Sequence, residues 1–483
     1  MNAAAPDLDP ALRQREVGSF AIDSRECKSG DVFFALSQPE YRNNGFNGDF
    51  EDSTKYVSDA FAKGATACVV RKDRFEEHRT QLDQYQDRLI FADDVIAAFQ
   101  RLAHGVYREW NKPVVAITGS AGKTTAKELT AHVLASSGRK VLRNIKNYNN
   151  GLGHPLTVLK LAADPSYDVA VLEMGMSTPM NEIQRLCRIT PPDVAVELNV
   201  LPVHVEHLGS IENVAKAKAE LVEGMKAGGT AVLNADDPRV AEMHWLSKGR
   251  TITYGIENDA DVKAENISFE RFGETRFTLV SGDVRADVKF PLNGKHNILN
   301  GLAAAGVGIS FGMTISEIAA SLQTVEPPPQ RGEVLYFKDG FTVINDSYNS
   351  NPAALMSMID TLIDGSSDRR RIVVAGEMLE LGPDEQVIHR ETGEAIAKTG
   401  IDMLIGVRGH ALEMVEGARA AGLAAADFVE DSDAAGELLT SVAKNGDVIL
   451  VKGSRGVRTE KVIEKMLKNF NVEGKGNDSE IEF

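Results

Sequence analysis

The chain has 483 residues, more than one hydrophobic core normally serves, so two to four domains are expected. Hydrophobic residues at 43% and charged residues at 25% describe a globular chain that folds in water. The formal net charge of −17 argues against coating nucleic acid, which needs a basic face, and no apolar run reaches the roughly 20 residues of a membrane helix.

Cys27, Cys68 and Cys187 show no paired spacing, which weakens disulfide and metal-framework readings and fits a reducing cytoplasm. Residues 1–7 lack the basic and apolar regions of a secretory signal, so a cytoplasmic location is expected. Residues 20–25 and 30–36 read as short strands around a polar turn, 56–63 as a helix and 66–70 as a strand. A helix from Asp93 runs towards Trp110, and a first domain of residues 1–108 is expected. In the second, 109–328, strands at 113–117, 140–142, 169–173, 194–200 and 230–234 alternate with helical stretches, the pattern of a parallel sheet covered on both faces. Residues 251–289 turn strand-rich, and a helix begins near Gly294. Pro327-Pro-Pro329 reads as a hinge. Past it, strands at 341–345, 371–375, 402–407 and 447–451 imply a Rossmann-like domain over 329–470. The polar tail, 471–483, is expected to be disordered. The fold class is therefore α/β in three domains: a smaller N-terminal α/β domain, a central parallel-sheet domain and a C-terminal Rossmann-like domain.

The chemistry begins at Val114-Val-Ala-Ile-Thr-Gly-Ser-Ala-Gly-Lys-Thr-Thr125. The order is strand, glycine-bracketed loop, helix. Within a nucleotide-binding loop of Gly119, Ser120, Ala121 and Gly122, backbone N–H groups freed by the two glycines can point at phosphate oxygens, and a helix N-terminus adds a favourable field. Lys123 would neutralise the outer phosphates, and Thr124, followed by Thr125, would offer a hydroxyl to Mg²⁺. A nucleoside triphosphate is the implied ligand. Only Ser120 and Ala121 separate the two glycines, where the general motif has four residues, so a narrower family than the GTPases or motors is indicated.

Residues 169–173 form a buried-type strand ending in Glu173, a candidate Mg²⁺ ligand beside Thr124 because ligands gather at the carboxyl ends of parallel strands. His204 follows the next apolar strand and reads either as a metal ligand or as a proton carrier. His207 reads as structural. Lys216 and Lys218 sit at i and i+2 on a helix, on different faces, with solvent the default for both. Asn149 and Asn150, in an amide-rich loop, can donate to phosphate or sugar oxygens without adding charge.

Together these motifs resemble the Mur ligases. Thr118-Gly-Ser-Ala-Gly-Lys-Thr-Thr125, Asn147-Tyr-Asn-Asn-Gly-Leu-Gly-His-Pro-Leu156, Glu173-Met-Gly175, Gly294-Lys-His-Asn297, Arg331-Gly-Glu333, Asn345-Asp-Ser-Tyr-Asn-Ser-Asn-Pro352 and Val451-Lys-Gly-Ser-Arg-Gly456 fall in that family's order. The resemblance implies an ATP-dependent, amide-bond-forming ligase of the cytoplasm that works on a peptidoglycan precursor through an acyl phosphate. The stretch 346–352 is similar to the branch whose substrates are UDP-N-acetylmuramoyl-tripeptide and D-alanyl-D-alanine. A sibling ligase adding another amino acid is one alternative, and a P-loop ATPase switch driving a partner is another. The resemblance further implies that Lys123 contacts the β- and γ-phosphates, that Thr124, Glu173, His204 and Lys218 serve Mg²⁺, and that Lys218 carries a carbamate. Asn297 and Asn300 match residues near the adenine, Arg331 a phosphate contact and Asp346 a ribose contact. Ser24, Arg25 and Phe33 match the uridine-nucleotide region. Asn149, Asn150, Tyr348, Asn349, Lys452 and Arg455 match residues facing the substrates, the last two arriving on domain closure. A monomer without nucleic-acid partners is expected.

Overall fold

The computed structural model describes residues 3–4, 8–46, 50–145, 147–176, 181–202, 208–366, 368–379 and 381–473. Its first sheet contains β1 (Ala3–Ala4), β2 (Phe20–Ala21), β3 (Val32–Phe34), β4 (Ala67–Arg71) and β5 (Leu89–Ala92). They lie in the order β1-β5-β4-β3-β2, parallel except for β1. Successive side chains of β3 face opposite ways: Phe33 packs with Val57 and Leu89, and Phe34 with Phe99.

Helix α1 (Val95–Trp110) starts where the Asp94 carboxylate caps the Ala97 N–H, and it stops at Asn111 in a left-handed conformation, φ 48°. It runs through the boundary expected at residue 108. Its buried face shares one core with Val32 and Phe34 before it and Val114 and Leu172 after it.

The central sheet holds β6 (Val114–Thr118), β7 (Val141–Arg143), β8 (Val169–Glu173), β9 (Val194–Glu197), β10 (Thr230–Asn234), β11 (Arg250–Gly255), β12 (Val262–Arg271), β13 (Glu274–Ser281) and β14 (Val284–Phe290). Their order is β14-β13-β12-β11-β10-β9-β6-β8-β7, parallel from β7 to β12 and antiparallel beyond. Every residue of β6, β8 and β9 is buried, as expected for strands covered on both faces. Val114 and Ala116 pack towards α3 (Glu182–Ile189) and α4 (Ile211–Glu223). Val115 and Ile117 pack towards α2 (Lys123–Ser136), α5 (Lys295–Ser310) and α6 (Ile315–Leu322).

The third sheet contains β15 (Glu333–Tyr336), β16 (Thr342–Asp346), β17 (Arg371–Gly376), β18 (Met403–Val407), β19 (Ala426–Val429) and β20 (Val448–Lys452), in the order β15-β16-β20-β17-β18-β19. All pairs but β15–β16 are parallel. Helix α7 (Pro352–Ser366) covers one face with α8 (Glu385–Ala397) and α9 (Ala411–Ala420), and α10 (Ser432–Val442) and α11 (Glu460–Asn469) cover the other. Because β20 lies between β16 and β17, Asp346, Lys452 and Gly376 end strands at a topological switch point, where ligands of such sheets bind.

The alternation read from the sequence is thus the α/β architecture observed. Phe272, on the β12–β13 turn, is 2% exposed and belongs to the core of the third sheet with Ile344, Leu355 and Leu362. The Tyr336 hydroxyl donates to its carbonyl. Val472 bridges to Phe337, whereas residues 474–483 of the expected disordered tail lie outside the described residues. Among the described residues no helix is long and apolar enough to cross a membrane, and Cys27, Cys68 and Cys187 are free and buried.

Candidate active site

β6 delivers the chain into the loop 119–122, and α2 begins at Lys123. Gly122 has φ 82°, and a Cβ there would stand 2.6 Å from Asn300 Oδ1, so glycine is required both by conformation and by space. Lys123 Nζ donates to the carbonyls of Gly119 at 2.8 Å and Ser120 at 3.3 Å, folding back over the loop it follows. Burial lowers its pKa, with Glu173 opposing and Arg331 reinforcing the shift.

Asn199 fixes the other side of the loop. The Ala121 N–H donates to Asn199 Oδ1 at 2.9 Å, and Asn199 Nδ2 donates to the Ala121 carbonyl at 3.2 Å. Ser120 N–H donates to the Asn199 carbonyl, and the Ser120 hydroxyl accepts from Leu201 N–H at 2.9 Å. The strand expected over 194–200 ends at Glu197 because the chain turns back here to make these bonds.

Glu173 closes β8 and is 4% exposed. Its Oε2 accepts from the Thr124 hydroxyl at 2.8 Å and its Oε1 from Asn149 Nδ2 at 2.7 Å. Asn144 holds the Glu173 backbone at both ends, accepting from its N–H at 2.9 Å and donating to its carbonyl at 3.0 Å. Lys127, buried on α2, secures Asn144 through a 2.6 Å bond to its carbonyl. Asn150 does something different from its neighbour: its Oδ1 accepts from Leu152 and Gly153 N–H and so closes the turn that leads into the next helix.

Lys218 is 2% exposed, which corrects the solvent default; Lys216 is exposed. Lys218 lies on the stripe of α4 formed by Val214, Ala217 and Leu221, all buried. Glu197 is fully enclosed, and neither of its carboxylate oxygens has a hydrogen-bond partner among the described residues. Burial pushes the Glu197 carboxyl far above the usual range against the pull of Lys218 and Lys123. Burial, aided by Lys123, holds the Lys218 amine down at about 7, with Glu197 opposing. His204 and His207 lie outside the described residues, and among those described no three His, Cys, Asp or Glu side chains gather as a metal centre.

The third domain reaches this loop through Arg331, whose Nη2 donates to the Thr124 hydroxyl at 3.2 Å. Asn300 faces Gly122 and donates to Asn297 Oδ1 at 3.3 Å, while Asn297 is tied to the Asn293 carbonyl. Lys452 is buried and engaged within its own domain, donating to Asp346 Oδ2 at 2.5 Å and the Asn349 carbonyl at 2.8 Å. Asn349 and Arg455 are exposed, and Arg455 Nη1 donates to Gln330 Oε1 at 3.3 Å.

In the N-terminal domain Ser24 is buried, and its carbonyl accepts from Lys63 Nζ at 2.8 Å. Arg25 is exposed and paired with Asp23 at 2.7 Å. Phe33 is 0% exposed, so its ring supports the core and is closed to any nucleotide; both faces of β3 are covered, which the sequence pattern did not reveal.

A phosphate loop with its carboxylate and a partner arginine from a second α/β sheet has counterparts in known proteins. Residues 117–308 match the Mur ligase middle domain, and residues 330–455 match the Mur ligase, glutamate ligase domain. The UDP-N-acetylmuramoyl-tripeptide–D-alanyl-D-alanine ligase of Bacillus subtilis (strain 168) is 31% identical over 464 residues, covering 95% of each chain. The chain belongs to the Mur ligase family. The ligase of the same name from Escherichia coli (strain K12) is 32% identical to this Mur ligase, covering 92% of it and 93% of the relative. The crystal structure of MurF ligase from Thermotoga maritima in complex with ADP is similar with a TM-score of 0.80 and 27% identity, covering 95% of this chain and 99% of that one.

Three residues that the structure brings to the loop and its carboxylate, Asn199, Asn144 and Glu197, were given no role from sequence. Glu197 ends β9 and Asn199 follows just beyond it, and only the sheet order, with β9 beside β6, brings them to the phosphate loop. Asn144 follows β7, at the sheet edge beside β8.

Proposed function

We propose that this Mur ligase joins D-alanyl-D-alanine to UDP-N-acetylmuramoyl-tripeptide with ATP, in the cytoplasmic synthesis of peptidoglycan precursor. The observation that carries the reading is the convergence of Lys123, Thr124, Glu173 and Arg331 on one phosphate loop. It is supported by relatives of that name matching along nearly the whole chain and by the stretch 346–352.

A carboxylate is a poor electrophile, so it needs activation. An oxygen of the tripeptide's terminal carboxylate attacks the γ-phosphorus, and the bond to the bridging oxygen breaks to release ADP. The amine of D-alanyl-D-alanine then attacks the acyl-phosphate carbonyl, the carbon–oxygen bond breaks, and phosphate leaves with the amine losing a proton. Lys123 and Arg331 supply positive charge where negative charge accumulates, and Asn199, by engaging the Ser120 and Ala121 N–H groups, holds the loop in one shape. Asn297 and Asn300 would border the adenine and Asp346 the ribose. Ser24 and Arg25 would meet the uridine nucleotide. Enclosure between the domains would protect the acyl phosphate from water.

The Thr124 hydroxyl and Glu173 carboxylate are paired oxygen donors of the kind Mg²⁺ takes, and they would hold one ion, with His204 and a carbamylated Lys218 serving a second. Bound Mg²⁺ would offset phosphate charge and polarise the γ-phosphoryl group. Lys218 suits carbamylation because burial lowers its amine to about 7, so that a substantial share is neutral near pH 7, the form that attacks CO₂.

Mass spectrometry of the product from ATP, Mg²⁺, UDP-N-acetylmuramoyl-tripeptide and D-alanyl-D-alanine tests the reading. The expected product is the UDP-pentapeptide, absent when any component is omitted. ATP hydrolysis indifferent to both peptides would point to a switch instead, and ligation of a different amino acid to a sibling ligase.

A further inference from the structure

Tyr348 lies two residues beyond Asp346 on the loop leaving β16, half-buried. The Arg331 guanidinium covers its ring, 3.9 Å from the ring centroid, and the Arg455 guanidinium approaches the same ring at 5.8 Å. A guanidinium stacked on an aromatic face keeps its N–H edge free to donate in its own plane. Arg331 uses that edge on the Thr124 hydroxyl at 3.2 Å.

The backbone beneath the stack is fixed as well. Tyr348 N–H donates to the Gln330 carbonyl at 3.3 Å, and Arg455 bonds the Gln330 side chain. Gln330 is buried with φ 60°, a conformation few non-glycine residues adopt, so packing rather than local preference sets the residue that precedes Arg331. The Tyr348 ring thus stands between a phosphate-loop contact and an exposed arginine of the third domain, and both cations are attracted to it.

We propose that Tyr348 is a positioning residue for phosphoryl transfer, its ring aiming Arg331 across the domain seam at the phosphate loop. This rests on the phosphoryl-transfer reading above. It replaces the substrate contact that the sequence suggested for Tyr348: the side chain acts through an arginine, and its hydroxyl is dispensable to that role.

Steady-state kinetics of the full chain separate the two roles. Tyr348→Leu is expected to lower kcat by about threefold to thirtyfold, the range of a cation–π contact, with the KM of both peptide substrates unchanged. Tyr348→Phe is expected to recover kcat relative to Tyr348→Leu, and Tyr348→Leu is expected to cost nothing further in an Arg331→Ala background. The proposal is overturned if Tyr348→Phe is as damaging as Tyr348→Leu with a raised peptide KM, or if the losses multiply in the double variant. Tyr348→Met takes the place of Tyr348→Leu if the latter does not fold. Absence of ligation by the wild-type chain would sink the underlying reading instead. Affinity for a non-hydrolysable ATP analogue across the same proteins then reads the stack, with Tyr348→Leu weakening it only while Arg331 is present.

Discussion

Asn199 and Ala121 bond each other in both directions, Ala121 N–H to Asn199 Oδ1 at 2.9 Å and Asn199 Nδ2 to the Ala121 carbonyl at 3.2 Å. One amide therefore fixes the middle of a loop too short to order itself. Asn199→Ala removes both bonds and leaves the loop's groups unpaired, a loss of about 1–2 kcal/mol. Titration calorimetry with an ATP analogue should show a weakening of roughly fivefold to thirtyfold. Unchanged affinity would mean that the loop holds its shape without the clamp.

Lys218→Ala should abolish ligation, and short carboxylic acids should restore part of it by filling the vacated anionic position. Carbon-13-labelled bicarbonate should give a carbamate signal in the wild-type chain alone. Because burial lowers the amine towards neutrality, protonation at lower pH withdraws the form that attacks CO₂, and the signal should fade in acid. Full activity of Lys218→Ala would rule the carbamate out.

Glu40 gives stability a pH dependence. Its oxygens accept from Ser37 N–H at 2.8 Å and Val95 N–H at 2.7 Å, yet burial outweighs both bonds and raises the carboxyl from 4.5 to about 7. Between those values the native state keeps a proton that the unfolded chain has released, so stability is present at low pH and lost as pH rises, by roughly 3 kcal/mol in all. Urea unfolding at about pH 5 and about pH 8 should show this fall in the wild-type chain and a flatter response in Glu40→Gln. An identical pH response in the two proteins would remove Glu40 as its source.

Phe272 ties the central domain to the third by lying in the latter's core, and a Cβ on Gly365 would meet its ring at 2.7 Å. Phe272→Ala should cost about 3–5 kcal/mol as a large buried ring is lost. Calorimetry should show the C-terminal domain unfolding at lower temperature. Unfolding unchanged from wild type would mean that the two domains are joined elsewhere.

The parts legible in the sequence were those that local pattern encodes. Uninterrupted apolar runs marked β6, β8 and β10 within a residue of their ends, and the loop and Lys123 followed from glycine spacing. Glu173 was legible because a carboxylate ended a buried strand. For Lys218 spacing alone gave a solvent default and only the family resemblance placed it at the site, although Val214, Ala217 and Leu221 already traced the buried stripe on which it lies. Asn199, Asn144 and Phe272 act through neighbours distant in sequence, across a sheet order or a domain seam that no local period carries.

The central claim is that the carboxylate is activated as an acyl phosphate on this loop. UDP-N-acetylmuramoyl-tripeptide labelled with oxygen-18 in its terminal carboxylate tests it most directly. One labelled oxygen stays with phosphorus when the amine displaces phosphate, so mass spectrometry should find oxygen-18 in the released inorganic phosphate, in step with amide formed. Amide formation with unlabelled phosphate would contradict the account.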